Sequence, residues 1–312
     1  MECFRMNTGK PIIDTAFRQL STVIRMVGSG DADGIPALFC NCGVCDLARR
    51  NGGRDVRSRT AYRIGETVGI DLGPDSPAQE WRFQLHSEKL RHLFFTHSHA
   101  DHLDPLPLLS RRGRAFASLQ IYGNPEVIRQ INLAFWRVSH TAFDGDFERY
   151  NLRLQPLSYF VPVEIVEEDM TVYPLHAWHA MESPTERPNL FVVRIGNRHV
   201  LFGNDSGYFP EDTWNYLAEK KFPLSVVFLD GTAGKNDQKD WHLGGKYIFE
   251  TRERLERIGC CGVNSRWILT HIGHDCGMNH AELEEAFRPY GFEIGYDGMN
   301  VELADMEGSR SR

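Results

Sequence analysis

Short apolar runs rich in β-branched and aromatic residues recur along the chain, separated by polar stretches marked by Gly, Pro, Asn or Asp. They fall at Thr22 to Val27, Thr67 to Leu72, His92 to Thr96, Leu119 to Tyr122, Thr171 to Leu175, Leu190 to Ile195, Val200 to Gly203, Leu224 to Leu229 and Trp267 to Thr270. Their length and composition predict strands. The intervening stretches Pro77 to Leu90, Pro125 to Arg137, Glu211 to Lys220, Lys246 to Ile258 and His280 to Tyr290 carry helical patterning, several opened by a capping Asn, Pro or Asp. Alternation of the two kinds predicts an α/β chain.

At 312 residues the chain can bury a substantial core. No internal repeat, low-complexity tract or linker breaks it, so a single domain over residues 21–306 is expected, preceded by an N-terminal extension (1–20) and followed by a polar tail (307–312). Residues 138–163 are aromatic and charged without clear period and suit a loop or lid. The formal net charge of -7, with both signs interspersed, argues against a broad grip on nucleic acid or an anionic membrane. The minor basic cluster Arg111, Arg112 and Arg114 falls short of a phosphate-tracking surface. No run reaches the ~18 apolar residues of a membrane span and no secretory layout opens the chain, so a cytoplasmic protein is expected. A homodimer is compatible with the exposed edge of a sheet, though no residue demands one.

Chemistry concentrates at the end of the run His92 to Thr96. There His97-Ser98-His99-Ala100-Asp101-His102 places four ligand-type side chains within six residues where a buried strand leaves its sheet. Such a turn can serve one ion with His97 and His99 and a second with Asp101 and His102. Two coordination shells need further donors. Candidates past later strands are His179, with His176 as its competitor, Asp205 and His271. A second cluster is Cys40-Asn41-Cys42-Gly43-Val44-Cys45, three of seven cysteines in one hairpin-like segment. Close thiols in a reducing compartment suit a tetrahedral structural zinc better than disulfides. The fourth ligand would be His274, with Cys276 its local competitor; Cys260 and Cys261 suit burial as small apolar residues.

The His-x-His-x-Asp-His run, with the later His, Asp and His in that order, resembles the metallo-β-lactamase superfamily, which implies an αββα four-layer sandwich. On that resemblance His97, His99 and His179 would hold one metal, Asp101, His102 and His271 the other, and Asp205 would bridge them. The segments Met26 to Gly30, Gly34 to Pro36, Cys40 to Cys45, Leu269 to His274 and Tyr296 to Met299 are similar to those of the phosphoribosyl cyclic phosphodiesterases of the carbon–phosphorus lyase pathway of phosphonate degradation. That likeness runs from about Thr22 to Leu303. It implies hydrolysis of 5-phosphoribosyl 1,2-cyclic phosphate or a similar small phosphodiester by a hydroxide activated by two divalent ions, manganese or zinc. His242 would face the scissile phosphate, and His242 or Asp101 would manage protons. The competing expectations are a transfer-RNA-maturation type endonuclease of the same fold and a non-hydrolytic member serving cofactor biosynthesis or binding.

Overall fold

The computed structural model describes residues 23–139 and 145–303. The expected extension (1–20) and tail (307–312) lie outside the described residues. Fourteen strands, among the described residues, form two seven-stranded sheets. The first has the order β14 (Asn300–Glu302), β1 (Val23–Gly28), β2 (Ala61–Ile64), β3 (Val68–Ile70), β4 (His92–Phe94), β5 (Leu119–Gly123), β6 (Leu152–Pro156). The second has the order β13 (Phe292–Ile294), β12 (Arg266–Thr270), β11 (Leu224–Asp230), β10 (Arg198–Gly203), β9 (Asn189–Ile195), β8 (Met170–His176), β7 (Val163–Ile165). In both, antiparallel pairing on one side gives way to parallel pairing on the other: the change comes at β3, paired antiparallel to β2 and parallel to β4, and at β10, between β9 and β11.

The period-2 alternation of the strands decides the layers. Along β9, Phe191 and Val193 enter the core between the sheets, while Leu190 and Val192 face outward to the helices. Along β11, Val226 and Phe228 point inward, and Val227 and Leu229 outward. Tyr62, Ile70, Phe94 and Tyr122 of the first sheet meet them from the other side. The outer face of the second sheet is covered by α1 (Gly43–Asn51), α4 (Glu211–Lys220), α5 (Lys246–Arg257) and α6 (His280–Phe287), through Val44, Ala48, Trp214, Leu217, Ile248, Leu255, Leu283 and Phe287. The outer face of the first packs on α3 (Pro125–Ser139) through Val127, Ile131 and Phe135. The result is the expected αββα sandwich.

Several expectations shift. The helix expected over Pro77 to Leu90 is α2 (Ser76–Phe83); Gln84 and His86 then adopt positive φ, which ends it before a separate turn at Ser87–Lys89. Of the stretch 138–163, expected as a loop or lid, the described part supplies β6, the edge strand paired with β5, and the first residue of β7, which pairs with β8. Pro156 is tolerated because β6 is an edge. Residues 140–144 lie outside the described residues. The cysteine segment is not a hairpin. Cys42 is the N-cap of α1, its sulfur accepting from Cys45 N.

Candidate metal centre

β4 delivers the His97–His102 turn to the rim where the two sheets part. His97, Asp101 and His102 are buried. Three later strand ends converge on them. His179 follows β8, Asp205 follows β10 and His271 directly follows β12. The donor atoms of His97, His99 and His179 lie within 4.8 Å of one another, as do those of Asp101, His102, Asp205 and His271. Asp205 touches both groups: its Oδ2 is 3.1 Å from His97 Nε2 and 2.9 Å from His102 Nε2, and its Oδ1 is 3.3 Å from His179 Nδ1. His176, the competitor, turns outward, its Nδ1 donating to Asp212 at 2.9 Å. His242 stands at the open side. Its side chain is 22% exposed, against 2% for His271, and its Nδ1 lies 3.5 Å from Asp205 Oδ1.

Behind the donors, groups that no sequence motif singled out fix each ring. His102 Nδ1 donates to Asp71 Oδ2 at 2.7 Å, and His97 Nδ1 to Thr96 Oγ1 at 3.0 Å. The Thr96 hydroxyl donates in turn to Asp71. The Thr232 hydroxyl accepts from His271 Nδ1 at 2.9 Å and donates to the His271 carbonyl. Asp230 accepts from Asp205 N, Thr232 N, Leu243 N and His242 Nδ1, so one carboxylate registers three loops. With Nδ1 engaged, Nε2 of His97, His102 and His271 is left to face the cluster, as ligating histidines require. The signal for Asp71 and Asp230 was weak: an acid just after a buried strand and before a glycine, as in Asp71-Leu72-Gly73 and Asp230-Gly231. The turn is also tight. A Cβ on Gly73 would sit 1.9 Å from the Asp101 carbonyl, and Asp71, Asp205 and His271 all adopt positive φ, costing about 1–3 kcal/mol each.

Nε2 of His97, of His102 and of His271, and Oδ1 of Asp205, are buried without a hydrogen-bond partner among the described residues. Nitrogens and oxygens that approach to about 3 Å without an aligned hydrogen bond are what a shared cation would bind, since tetrahedral ligands at ~2.05 Å lie about 3.3 Å apart. The electrostatics agree. Burial and the neighbouring His102 hold His97 well below the ordinary imidazole range. Burial works against ionisation of Asp205, yet His179, His271 and His97 hold its carboxyl well below the usual range. The cluster is an anion-and-imidazole cage suited to divalent cations.

Cys40, Cys42, Cys45 and His274 form a second group within 4.8 Å. His274 Nδ1 is 3.7 Å from both Cys40 Sγ and Cys42 Sγ. Ligand edges of about 3.6 Å follow from a tetrahedron with Zn–S near 2.3 Å and Zn–N near 2.0 Å. Asp33 Oδ2, 3.3 Å from His274 Nε2, orients the ring. The bond from Cys45 N lowers the Cys42 thiol to about 7, while burial pushes Cys45 up to about 12, a thiol that a metal would have to deprotonate. Cys276 turns away toward Met278 O.

A family model described as the beta-lactamase superfamily domain matches residues 66–272, more than half the chain and the whole His/Asp cluster. The chain belongs to the β-lactamase superfamily. Membership makes it a metal-dependent hydrolase, and the divalent-metal binding implied by the fold meets a fitting donor set in the His/Asp cluster. Solved structures of similar fold include a new diphosphatase of the PhnP family (22% identical, TM-score 0.67, covering 91% of this chain and 98% of that one). Others are Zn²⁺-bound PqqB of Methylobacterium extorquens (15%, TM-score 0.65, 90% and 100%) and the short form of human tRNase Z (15%, TM-score 0.60, 91% and 100%). At these identities the likeness is one of fold. In sequence, the chain is 25% identical over 293 residues to a Porphyromonas gingivalis protein named octanoyltransferase, covering 91% of this chain and 52% of that protein. The chain thus spans about half the length of the curated relative it matches. Among the described residues of this superfamily member, no helix is long and apolar enough to cross a membrane.

Proposed function

We propose that this superfamily member is a phosphodiesterase acting on a small cyclic phosphodiester, with 5-phosphoribosyl 1,2-cyclic phosphate the first substrate to test. His97, His99 and His179 would hold one divalent ion, Asp101, His102 and His271 another, manganese or zinc, with Asp205 shared between them. Cys40, Cys42, Cys45 and His274 would hold a structural zinc. When bound, two such ions supply a water of lowered pKa and neutralise charge developing on phosphoryl oxygens.

The observation that carries the reading is the His242–Asp230 pair on the open side of a complete ligand set. Nδ1 of His242 is engaged by Asp230 at 3.2 Å, which leaves Nε2 to hold a proton for a leaving alkoxide. Burial pulls the His242 imidazole down, but Asp230 and Asp205 outweigh it and raise it to about 9. Asp101 Oδ2, 3.0 Å from His102 Nε2, is the carboxylate that would take a proton from a nucleophile. The chain's own part is therefore to fix imidazoles, exclude bulk water and keep one proton at His242.

The arrangement supports a small molecule over nucleic acid. Arg111, the core of the only basic cluster singled out by sequence, is buried and donates to the Ala117 carbonyl. The full ligand set, with His242 beside it, disfavours a non-hydrolytic binding role. The deciding experiment is metal analysis of purified protein together with turnover of 5-phosphoribosyl 1,2-cyclic phosphate, with and without manganese. Metal-dependent release of the ring-opened product supports the reading. Bound metal with hydrolysis of an octanoyl thioester and no phosphodiester would replace phosphorus by an acyl carbon.

A further inference from the structure

Ser98 stands between the first two histidines of the ligand turn, and both of its donors go to one carboxylate. Its N–H donates to Glu186 Oε1 at 2.8 Å and its hydroxyl to Glu186 Oε2 at 2.6 Å. Oε1 accepts a third bond, from Asn124 Nδ2 at 3.0 Å. Asn124, which follows β5, is itself buried and fixed: its Oδ1 accepts from Glu126 N and Val127 N at the start of α3, and its Nδ2 also reaches the Arg187 carbonyl. Glu186 is 7% exposed. A carboxylate so far from water is costly to keep. Three bonds from neutral donors offset that cost, and two of them come from a single residue of the ligand turn.

Glu186 belongs to the loop that carries the third histidine. That loop leaves β8, passes through His179 and returns to β9. Ala177 N closes its base by donating to the Pro188 carbonyl at 3.1 Å, and Glu186 N donates to Ser183 O at 3.0 Å. Just beyond, Asn189 N and Nδ2 both donate to the Thr96 carbonyl, at 2.8 and 3.2 Å. The returning arm is thus tied to the ligand turn at Thr96 and at Ser98, on either side of His97. On the outgoing arm His179 Nε2 faces His99 Nδ1 at 3.1 Å. His97 and His99 come from one loop and His179 from the other, and Glu186 straps the two together between the paired histidines. The other group of donors rests on different supports, His102 on Asp71 and His271 on Thr232. We propose that Glu186 is a positioning residue for one metal of the pair. It sets His97 and His99 against His179, and hence the affinity of the ion those three would share, without governing the ion of Asp101, His102 and His271. The proposal rests on the two-ion reading of the cluster and is independent of the substrate.

The test is titration of the purified protein with Mn²⁺ after mild chelation, followed by calorimetry and by manganese electron paramagnetic resonance. The wild type should show two binding events, assigned by His179→Ala, which removes the first, and His271→Ala, which removes the second. Glu186→Ala should weaken the first event by about 10–100-fold, the cost of losing a partner that orients metal ligands, and leave the second unchanged. Glu186→Gln keeps all three bonds, the Ser98 hydroxyl now accepting from the amide, and should restore most of the loss. Ser98→Ala removes one of the three bonds and supplies the same comparison with a smaller effect if Glu186→Ala does not fold. Equal weakening of both events, or a lower melting temperature with both affinities unchanged, overturns the proposal, as does a Glu186→Gln protein that binds as weakly as Glu186→Ala. A wild type that binds one Mn²⁺ or none brings down the two-ion reading itself, and the proposal with it.

Discussion

The two candidate metal clusters of this molecule are built on opposite plans. The His/Asp cluster draws its donors from four strand ends between His97 and His271, buries nearly all of them, and mixes imidazole nitrogens with carboxylate oxygens around an open side where His242 stands. The Cys/His cluster takes three donors from six consecutive residues and one from His274, a sulfur-rich set of four suited to a tetrahedral ion. Open shells with hard donors serve reaction, and closed thiolate shells serve shape. The two are joined by the chain itself. His271 serves the first and His274 the second, with Ile272 between them hydrogen-bonded through its N–H to Ser29 O. A zinc bound at the second cluster would fix one end of this short segment and so help hold His271 at the other.

Removing the shared carboxylate is the severest way to break the contrast. Asp205→Ala deletes the group that touches His97, His102 and His179, and should reduce hydrolysis by well over the roughly 10–100-fold expected for losing an outer-shell partner. Metal analysis should show loss from the His/Asp cluster while the thiolate site keeps its ion. Asp71→Asn is a milder cut at the same place. It leaves every donor present but weakens the charged acceptor behind His102 Nδ1, and metal affinity should fall by about 10–100-fold, read by competition with a chelator.

Cys40→Ser acts on the other cluster and tests the join. One metal per chain should be lost and the melting temperature should fall by several degrees, at about 2 °C per kcal/mol for a chain of this size. Hydrolysis should drop only several-fold, because His271 loses a support and not its place. An unchanged melting temperature would show that the thiolate site does not brace the loop.

How much of this was legible in sequence depended on density. Four ligand-type side chains within six residues, and three cysteines within six, stand out because chance rarely packs them so closely, and the structure brings all of them together with the distant His179, Asp205, His271 and His274. Asp71 and Asp230 were barely legible, and Thr232 not at all. Each is a common residue at or just past a strand end, and its meaning lies in contacts with residues tens of positions away, such as Asp230 with Asp205 and Asp71 with His102. Among the strands, β13 and β14 span three residues each, too short for an alternation to register, and β6 is an edge whose burial pattern is mostly exposed. The helix α1 was hidden because its capping residue is a cysteine that reads first as a ligand.

The smallest predicted effect concerns acid stability next to the thiolate site. His280 opens α6 four residues after Cys276, and its Nδ1 accepts from the buried Arg57 guanidinium at 3.0 Å. Burial, then the charge of Arg57, lowers His280 to about 4. The unfolded chain therefore takes up a proton at His280 between roughly pH 6.5 and 4 that the folded chain refuses, and linkage requires stability to fall as pH falls through that window. The side chain is buried, and Glu284 Oε1, 3.6 Å from Nε2, offsets part of the shift. In urea unfolding of the metal-loaded protein, His280→Gln keeps an acceptor for Arg57 and removes the titration. Its midpoint should decline less than that of the wild type between pH 6.5 and 5, with equal slopes above pH 7. Parallel declines would place the acid sensitivity elsewhere, in the metal ligands themselves, whose protonation competes directly with metal.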